Sequence, residues 1–431
     1  MKKLALLTGL ILLCITSFAQ TPLHQLLAEE NYLQIIHQLS TQSTPLAKQE
    51  RFILALAYKQ NGMPNKTIDL LLKDSVNHSL AEKKLLSATY FSTGQYSAAQ
   101  PLCKYILQAE EKNVTNLIRL VEILDFQDDQ QNALRHLLTY ESQDTTNFEV
   151  NRQLAELYQK TDSTEKAIAT YQRILKQYPD NQSIALKLGR YLYSKKRYPE
   201  CNELCTIFLD KNPHHRRFLL LGGLANFEAG AHANTLLLFK RLETQGDSSF
   251  ITKKHLGITY YRMENYEKAI NYLYAAMDYN TEGPEVNFFL GSSLGQSNSP
   301  HRGIPYLLRA IDLISPSPST MEKVYNKLAM IHYDTGEYQV ALDYYQKAYK
   351  HAPFSTQYIY HQATIYDHNL NDLNKARELY QKFLHHTPKD LDPKKGNELY
   401  AIQLKKVVEN RLRELDEDAF FKQGQDSSKI Q

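Results

Sequence analysis

The sequence LAELYQKTDSTEKAIATYQRILKQYP at residues 154–179 carries the pattern from which we predict the fold. Its small and aromatic residues Ala155, Tyr158, Ala167 and Tyr171 recur at helical spacing on both sides of a polar stretch, and Pro179 follows. This pattern is typical of two amphipathic helices joined by a tight turn. One such pair cannot bury its apolar side alone, so the segment predicts a helix pair that stacks against similar neighbours.

The position of Ala155 recurs along the chain as a small-residue slot. The successive slots are Ala55, Ser87, Val121, Ala155, Gly189, Gly223, Gly257, Gly291, Ala329 and Ala363. Seven of the nine intervals between them equal 34 residues, and the other two are 32 and 38. A fixed period of this length indicates a repeat array rather than several globular domains. We therefore expect an all-α solenoid of about ten helix pairs.

In this period, and in the residues that occupy it, the chain resembles the tetratricopeptide repeat family. Residues 154–179 and 328–353 both carry the small residue, the two alanine and aromatic positions of the second helix, and a closing proline. The resemblance covers about residues 48–390 and implies a right-handed superhelix. The predicted organisation is a signal peptide at 1–19, an N-terminal partial repeat at 20–47, the repeat array at 48–390, a C-terminal capping helix at 391–422 and a disordered tail at 423–431.

Some positions depart from the family pattern. Asn226 and His332 stand where an aromatic residue is usual, and Thr67 and Thr235 replace the alanine of the second helix. The 38-residue interval contains SPSPS at residues 315–319, which predicts a longer surface loop because proline interrupts a helix. In these repeats the prediction of a helix pair rests on fewer matching positions.

The N-terminus has the three regions of a secretory signal. Two lysines precede an apolar run, and small residues follow it, so we expect cleavage after Ala19. Leu13 stands before Cys14 where a bacterial lipoprotein signal has a small residue, which makes a lipid anchor the less favoured alternative. No second apolar stretch of membrane-spanning length follows. The mature protein is expected to be exported to the periplasm or to be associated with the envelope.

The charge balance and the cysteines restrict the possible partners and cross-links. Lysine plus arginine (50) nearly equals aspartate plus glutamate (47), so no net field draws in nucleic acid. Cys103, Cys201 and Cys205 fall at helix positions. Cys201 and Cys205 are one turn apart, which leaves their Cβ atoms about 5–6 Å from each other, too far for a disulfide. We expect all three to be buried thiols.

No catalytic or metal-binding motif fits the predicted helices. GSSLG at residues 291–295 is formally G-x-S-x-G, but Gly291 occupies the helix-packing slot, whereas a nucleophilic serine needs a strand–turn–helix elbow. The histidine pairs at 214–215 and 385–386 flank prolines and are interpreted as solvated turn residues. HExxH, CxxC and glycine-rich nucleotide-binding motifs do not occur in the sequence. We therefore expect no enzyme, no cofactor and no metal.

The family resemblance implies where a partner binds, because the first helices of tetratricopeptide repeats line a concave groove. Matching helix phase gives nine candidates, here called the groove patch: Lys187, Arg190, Tyr193, Arg217, Phe227, Lys254, His255, Tyr261 and Arg262. Glu122, Arg152 and Glu156 precede it on the same face, so the groove is predicted to pass from mixed charge to basic and aromatic. Arginine and aromatic side chains are favoured anchors for peptides, although an ordinary solvated face has the same composition.

These features favour a protein-binding scaffold or adaptor of the bacterial cell envelope, associated with an outer-membrane, surface or secretion complex. The alternative is a soluble sensory or regulatory module that works with a membrane signalling partner. An enzyme on a repeat scaffold is disfavoured, because no segment outside the array is long enough for a catalytic domain.

Overall fold

A computed structural model describes residues 22–73, 78–279, 283–313, 318–388, 391–392 and 396–427. Within these ranges the regular structure is helical and no strand occurs, which confirms the predicted all-α class. The predicted signal peptide lies outside them. None of the helices in these ranges is long and apolar enough to cross a membrane. The chain divides into two compact units, residues 1–191 and 192–431, and each is described by itself.

The first unit is a row of antiparallel helix pairs that follows a short N-terminal pair. Its helices are α1 (Pro22–Ala28), α2 (Tyr32–Ser40), α3 (Lys48–Gln60), α4 (Pro64–Leu72), α5 (Leu80–Ser92), α6 (Tyr96–Ala109), α7 (Val114–Phe126), α8 (Gln130–Glu141), α9 (Phe148–Lys160) and α10 (Thr164–Gln177). Helix α11 (Gln182–Ser194) spans the division between the units.

The second unit continues the same pattern. Its helices are α12 (Tyr198–Lys211), α13 (Arg216–Glu228), α14 (His232–Thr244), α15 (Phe250–Arg262), α16 (Tyr266–Met277), α17 (Pro284–Gly295), α18 (Ile304–Leu313), α19 (Pro318–Asp334), α20 (Tyr338–His351), α21 (Gln357–Thr364), α22 (Leu373–His386) and α23 (Gly396–Ser427). Of the predicted loop at 315–319, residues 315–317 lie outside the described ranges, and Pro318 is the first residue of α19. In chain order, α3 to α22 form ten consecutive pairs, as predicted.

The small-residue slot is the place where the first helix of a pair meets the second. A Cβ atom built on Gly257 would lie 2.6 Å from Cγ of Leu273, sixteen residues later. Ser87 and Cys103 have the same separation in sequence, and their Oγ and Sγ atoms are 3.1 Å apart. The slot needs a small residue because the second helix of the pair passes directly against it.

In eight of the ten pairs, the turn between the two helices has a left-handed residue seven positions after the small-residue slot. Four of these residues are glycines with φ between 73° and 80°: Gly62, Gly94, Gly230 and Gly336. In other pairs the position holds residues with a side chain and φ between 54° and 61°: Asp128, Asp162, Lys196 and Glu264. A Cβ atom makes this backbone conformation costly, so these turns carry local strain.

Replacing Glu264 with glycine should therefore raise the free energy of unfolding. The expected gain is about 0.5–1 kcal/mol, because glycine removes the left-handed strain but loses more backbone entropy on folding. Chemical denaturation followed by circular dichroism measures it. Gly230→Ala at the matching turn is the control and should lower stability; a loss of stability in Glu264→Gly would contradict the prediction.

Repeats with atypical residues fold as complete helix pairs. Thr67 and Thr235 are buried, and each hydroxyl donates a hydrogen bond to a backbone carbonyl oxygen 3.0 Å away. The side-chain amide of Asn226 does the same at 2.8 Å, and the ring of His332 stacks on Tyr344 with centroids 5.4 Å apart. A buried polar group is tolerated when it has a hydrogen-bond partner, so these substitutions do not interrupt the array.

Helices at both ends cover apolar surface of the adjoining pair. Ile35 and Leu39 of α2 lie in one apolar cluster with residues of α3, and Leu404 and Val408 of α23 lie in another with residues of α21 and α22. The capping helix is predicted to end at residue 422, whereas α23 continues to Ser427. Residues 428–431 of the predicted tail lie outside the described ranges.

Cys103, Cys201 and Cys205 are buried and form no disulfide in the described part of the chain, as the sequence predicts. Burial raises the pKa of the Cys103 thiol, although a hydrogen bond with Ser87 opposes the shift. Cys103 therefore acts as a small core residue.

Candidate functional site

The first helices of neighbouring pairs contact one another within each unit. In the first unit α3 contacts α5, and α7 contacts α9; in the second, α13, α15, α17 and α19 contact one another in succession. Among the described residues, no two second helices of neighbouring pairs approach as closely. The first helices therefore form the inner face of each unit, which is the face that the groove patch was assigned to.

Several ion pairs join side chains on the inner face of the first unit. Arg152 Nη1 lies 2.9 Å from Oε1 of Glu156 on the same helix. Lys187 of α11 pairs with Glu156 as well, and Lys160 pairs with Asp125 of the preceding first helix. The predicted mixed charge of this region is thus mutually compensated. Within the groove patch, Lys187 is half-buried in this network.

On the inner face of the second unit, two cations lie against aromatic rings instead of carboxylates. The guanidinium of Arg262 lies over the ring of Phe227, with Cζ 4.2 Å from the centroid, and Nη1 donates to the Phe227 carbonyl oxygen at 3.3 Å. Lys327 Nζ lies 5.9 Å from the ring centroid of Tyr261. In the described part of the chain, neither cation forms an ion pair with a carboxylate. Their charges are supported by aromatic faces and remain uncompensated.

Tyr261 packs against two other aromatic rings. Its ring meets Phe289 of α17 edge to face at a centroid distance of 5.1 Å and Tyr266 at 5.9 Å, and it is half-buried. Lys254, which lies about two helical turns before Tyr261 on α15, forms an ion pair with Glu285 at 2.8 Å. The free positive charge therefore belongs to Arg262 and Lys327 rather than to Lys254.

The remaining candidates of the groove patch differ in how exposed their side chains are to solvent. Arg190 and Arg217 are exposed, and Tyr193 is half-buried against Tyr198 at a centroid distance of 5.6 Å. Residues up to 191, including Arg190, belong to the first unit and the later ones to the second. Within the second unit, Phe227 contacts both His255 and Arg262.

Two members of the groove patch do not face solvent. Phe227 is 5% exposed and His255 is 7% exposed, so the expectation that they present their side chains to a partner is wrong. The His255 ring lies against Phe227 edge to face at 4.7 Å and stacks on Phe239 at 5.1 Å. Both are buried because the His255 ring of α15 packs against Phe227 of α13 and Phe239 of α14. Phe227 in turn lies against the Arg262 guanidinium.

His255 makes stability depend on pH. Burial lowers its pKa to about 4, although a hydrogen bond to the Ile251 carbonyl oxygen, 2.7 Å from Nδ1, opposes the shift. The folded state holds His255 neutral while the unfolded state binds a proton below pH about 6.5. The stabilisation is therefore complete above that pH and is lost as pH falls toward 4.

Replacing His255 with phenylalanine should flatten this part of the stability profile. Between pH 7 and 4.5 the wild type should lose about 2 kcal/mol more than the variant, because phenylalanine has no proton to bind. Denaturant midpoints at the two pH values measure the difference. His214→Phe, at an exposed position, is the control; equal profiles for wild type and His255→Phe would contradict the assignment.

The G-x-S-x-G segment is helical, as predicted. Gly291 to Gly295 form the last residues of α17. Ser293 is fully buried, and its hydroxyl donates to the Phe289 carbonyl oxygen at 2.7 Å. The strand–turn–helix elbow that would expose a nucleophile is not formed there.

A buried charged cluster that no sequence pattern reveals lies at the end of the second unit. The Asp367 carboxylate is fully buried and accepts two hydrogen bonds from Arg411 of α23, both 2.9 Å long, and one from the Tyr380 hydroxyl at 3.0 Å. Burial raises the pKa of Asp367, but these hydrogen bonds outweigh it, so the pKa lies below its ordinary value. The cluster ties α23 to the last repeat.

The local cause of this cluster is one extra residue in the last repeat. From Ala363 to Ala376 there are thirteen residues, compared with twelve from Ala329 to Ala341. The chain takes up the extra residue as a π-helical turn, Ile365–Asn369, directly after α21. The insertion is visible in the sequence, but its partner on α23 is not.

Three segments of the chain match models described as the tetratricopeptide repeat: residues 148–191, 255–282 and 322–355. No curated protein matches the chain. Among solved structures, a tetratricopeptide repeat protein from Parabacteroides merdae is 18% identical, with 58% of this chain and 98% of that chain covered and a TM-score of 0.38. The APC/C hetero-tetramer Cut9-Hcn1 is 12% identical, with 90% and 95% covered and a TM-score of 0.41. The MamA protein is 17% identical, with 38% and 91% covered and a TM-score of 0.36.

Proposed function

Because this chain is a tetratricopeptide repeat protein, we propose that it binds partner proteins or peptides through the inner face of residues 192–431, as a scaffold of the cell envelope. Tetratricopeptide repeat proteins are protein-interaction scaffolds and are generally non-catalytic. The inner face of the second unit is the part of the array that supports a specific binding role.

The observation that carries this proposal is the difference between the two inner faces. Arg152, Lys160 and Lys187 of the first unit already have carboxylate partners, so a ligand would have to displace an ion pair to reach them. Arg262 and Lys327 lie against aromatic rings with no carboxylate paired to them in the described ranges. Arginine and tyrosine beside each other on an accessible face are the usual anchors of an interface.

A capture experiment tests the proposed face. The full-length tagged protein is crosslinked in intact cells, and the captured proteins are compared with those of an Arg217→Glu, Arg262→Glu variant. We expect the variant to lose the wild-type partners, because charge reversal opposes the same electrostatic match. Lys268→Glu makes a comparable charge change on the second helix α16 and should retain them. An unchanged partner set in the double variant would overturn the proposal.

The envelope part of the proposal is supported by the signal-like residues 1–19. Mass spectrometry of the protein recovered from its native host should find Gln20 as the mature N-terminus. Removing residues 2–19 should leave the protein in the cytoplasm. An uncleaved N-terminus together with a cytoplasmic location of the intact protein would contradict the envelope assignment, while leaving partner binding to be judged by capture.

A further inference from the structure

Exposed apolar side chains occupy matching positions on three successive second helices of the first unit. Leu72 of α4 and Leu138 of α8 each lie seventeen residues after the small-residue slot of their repeat, and Tyr105 of α6 lies eighteen residues after its own. In chain order, Leu72, Tyr105 and Leu138 are 44%, 48% and 41% exposed. Because the first helices form the inner face, these side chains lie along the outer side of the unit.

A cation accompanies each of these apolar side chains. The exposed pairs within one helical turn of each other, here called the outer stripe, are Leu72 with Lys73, Tyr105 with Lys104, and Leu138 with Arg135. Lys83 of α5 adds a further charge, with Nζ 3.4 Å from the ring centroid of Tyr105. Burial and the positive charges of Arg135 and Lys104 lower the pKa of His136 on α8. Lys104 and Arg135 therefore lie close together although they belong to different helices.

The positive charge of the outer stripe is largely uncompensated. Lys73, Lys104 and Arg135 form no ion pair with a carboxylate of the described residues. Helices α4, α6 and α8 carry two carboxylates, of which Glu141 is paired with Arg173 of α10 and Asp69 is exposed on α4. Together with Lys83, the outer stripe thus has four positive charges and one unpaired negative charge beside its apolar side chains.

The alternation of apolar and cationic side chains distinguishes between possible ligands. The centre of a protein–protein interface is depleted of charged residues, whereas here a cation stands beside every apolar side chain. Binding of single-stranded nucleic acid relies on several aromatic rings for stacking, and Tyr105 is the one aromatic residue of the outer stripe. Lysine and arginine interspersed with leucine and an aromatic residue are typical of surfaces that lie on anionic membranes.

We infer that the outer stripe binds the first unit to the surface of a lipid bilayer that contains anionic lipids. Leu72, Tyr105 and Leu138 enter the boundary between headgroups and acyl chains, and the neighbouring cations meet the lipid phosphates. This inference goes beyond the proposed function, because it assigns a second ligand to a different face. The inner faces remain open to a partner protein while the array lies on the membrane.

Sedimentation with lipid vesicles tests the inference on the full-length protein. Vesicles of phosphatidylglycerol and phosphatidylcholine should carry the protein into the pellet, vesicles of phosphatidylcholine alone should carry much less, and added salt should weaken the binding. Lys104→Gln and Arg135→Gln should each weaken binding about fivefold, and Leu138→Gln by a similar factor because less apolar surface enters the lipid. Every variant retains residues 1–19, so the differences between variants report on the outer stripe.

Ile207→Gln is the matched control for Leu138→Gln. Ile207 lies on the second helix α12 and is 48% exposed. Its neighbours one turn before and after it are the exposed carboxylates of Glu203 and Asp210, which an anionic surface repels. Vesicle binding should therefore be the same in Ile207→Gln as in the wild type.

A tryptophan reporter measures contact with the lipid directly. The chain has no tryptophan, so Tyr105→Trp introduces a single indole fluorophore. Its emission should shift to shorter wavelength with the anionic vesicles, because the ring leaves water for a less polar environment. Ile207→Trp should show no shift, and circular dichroism confirms that each variant is folded.

Several results would overturn the inference. Equal sedimentation with both kinds of vesicle, or unchanged binding in both Lys104→Gln and Arg135→Gln, would show that the outer stripe does not recognise anionic lipid. An unshifted emission of vesicle-bound Tyr105→Trp would leave the ring outside the bilayer. Tighter binding of soluble polyglutamate than of the vesicles would assign the outer stripe to an acidic protein surface instead.

Discussion

Replacing Arg411 with alanine should lower the free energy that holds α23 on the last repeat by about 3 kcal/mol. Asp367 is fully buried and receives two hydrogen bonds from the Arg411 guanidinium. Without Arg411, the partners of the carboxylate that remain among the described residues are the Tyr380 hydroxyl and the more distant His368 ring, 3.8 Å away. A buried charge that has lost its counter-ion is among the costliest defects in a folded protein.

The measurement is amide hydrogen exchange along α23, because a repeat array unfolds in parts rather than in one step. Arg411→Ala should lose protection across residues 396–427, whereas Glu414→Ala should not. Glu414 contacts Arg411 at 2.8 Å from the solvent side and is itself 61% exposed, so its contribution is small. Equal protection in the two variants would contradict the prediction.

The loss in Arg411→Ala should also depend on pH. In the wild type the pKa of Asp367 is below its ordinary value, so this carboxylate stabilises the fold at neutral pH and ceases to do so only in strong acid. Without Arg411, burial is expected to raise the pKa, and protonation then neutralises the buried group as pH falls. The deficit should therefore shrink between pH 7 and 4. Asp367→Asn added to Arg411→Ala should recover part of the loss at pH 7.

Gly303→Ala should destabilise the second unit by about 3 kcal/mol. A Cβ atom at Gly303 would lie 2.2 Å from the carbonyl oxygen of Gly291 and 3.0 Å from the amide nitrogen of Gly295. Both neighbouring atoms belong to the backbone of α17, so the clash can be relieved only if the segment around Gly303 moves away from that helix. The better helix propensity of alanine offsets less than about 1 kcal/mol of this cost.

Gly295→Ala is the matched control. Its Cβ atom would meet Cδ1 and Cγ1 of Ile331, at 2.7 and 2.9 Å, and that side chain can change rotamer. The cost should therefore be about 1 kcal/mol or less. Because the chain has no tryptophan, denaturation is followed by far-ultraviolet circular dichroism. A loss in Gly295→Ala as large as that in Gly303→Ala would show that backbone contact does not set the cost.

Much of the fold could be predicted because its determinants are local and periodic. The slot of Gly257 and Gly291 is small since a second helix passes against it, and the same requirement returns in every repeat. The turn residues Gly62 and Gly336 are glycines, which adopt the left-handed φ of these turns without a steric penalty. Each of these features is specified by residues within one helix pair, so it can be recognised directly in the sequence.

The candidate site could be predicted only in part. Helix phase located Tyr261 and Arg262 on the inner face but also placed Phe227 and His255 there, and both are buried. Lys327 was not among the candidates, because it joins Tyr261 across an intervening repeat. Phase describes one helix at a time, whereas burial depends on how closely the neighbouring helices approach.

The sequence by itself determined the repeat period, the helix pairs, their packing slot and the buried thiols, since each follows from spacing within about 34 residues. Only the tertiary structure decided which charges are compensated. Lys187 meets Glu156 and Lys254 meets Glu285, each 31 residues away, and Asp367 meets Arg411 at a separation of 44. Arg262 and Lys327 lie against aromatic rings and form no ion pair with a carboxylate of the described residues. Ion pairing is set by the distance between side chains of different helices, and no periodic pattern within one helix specifies that distance.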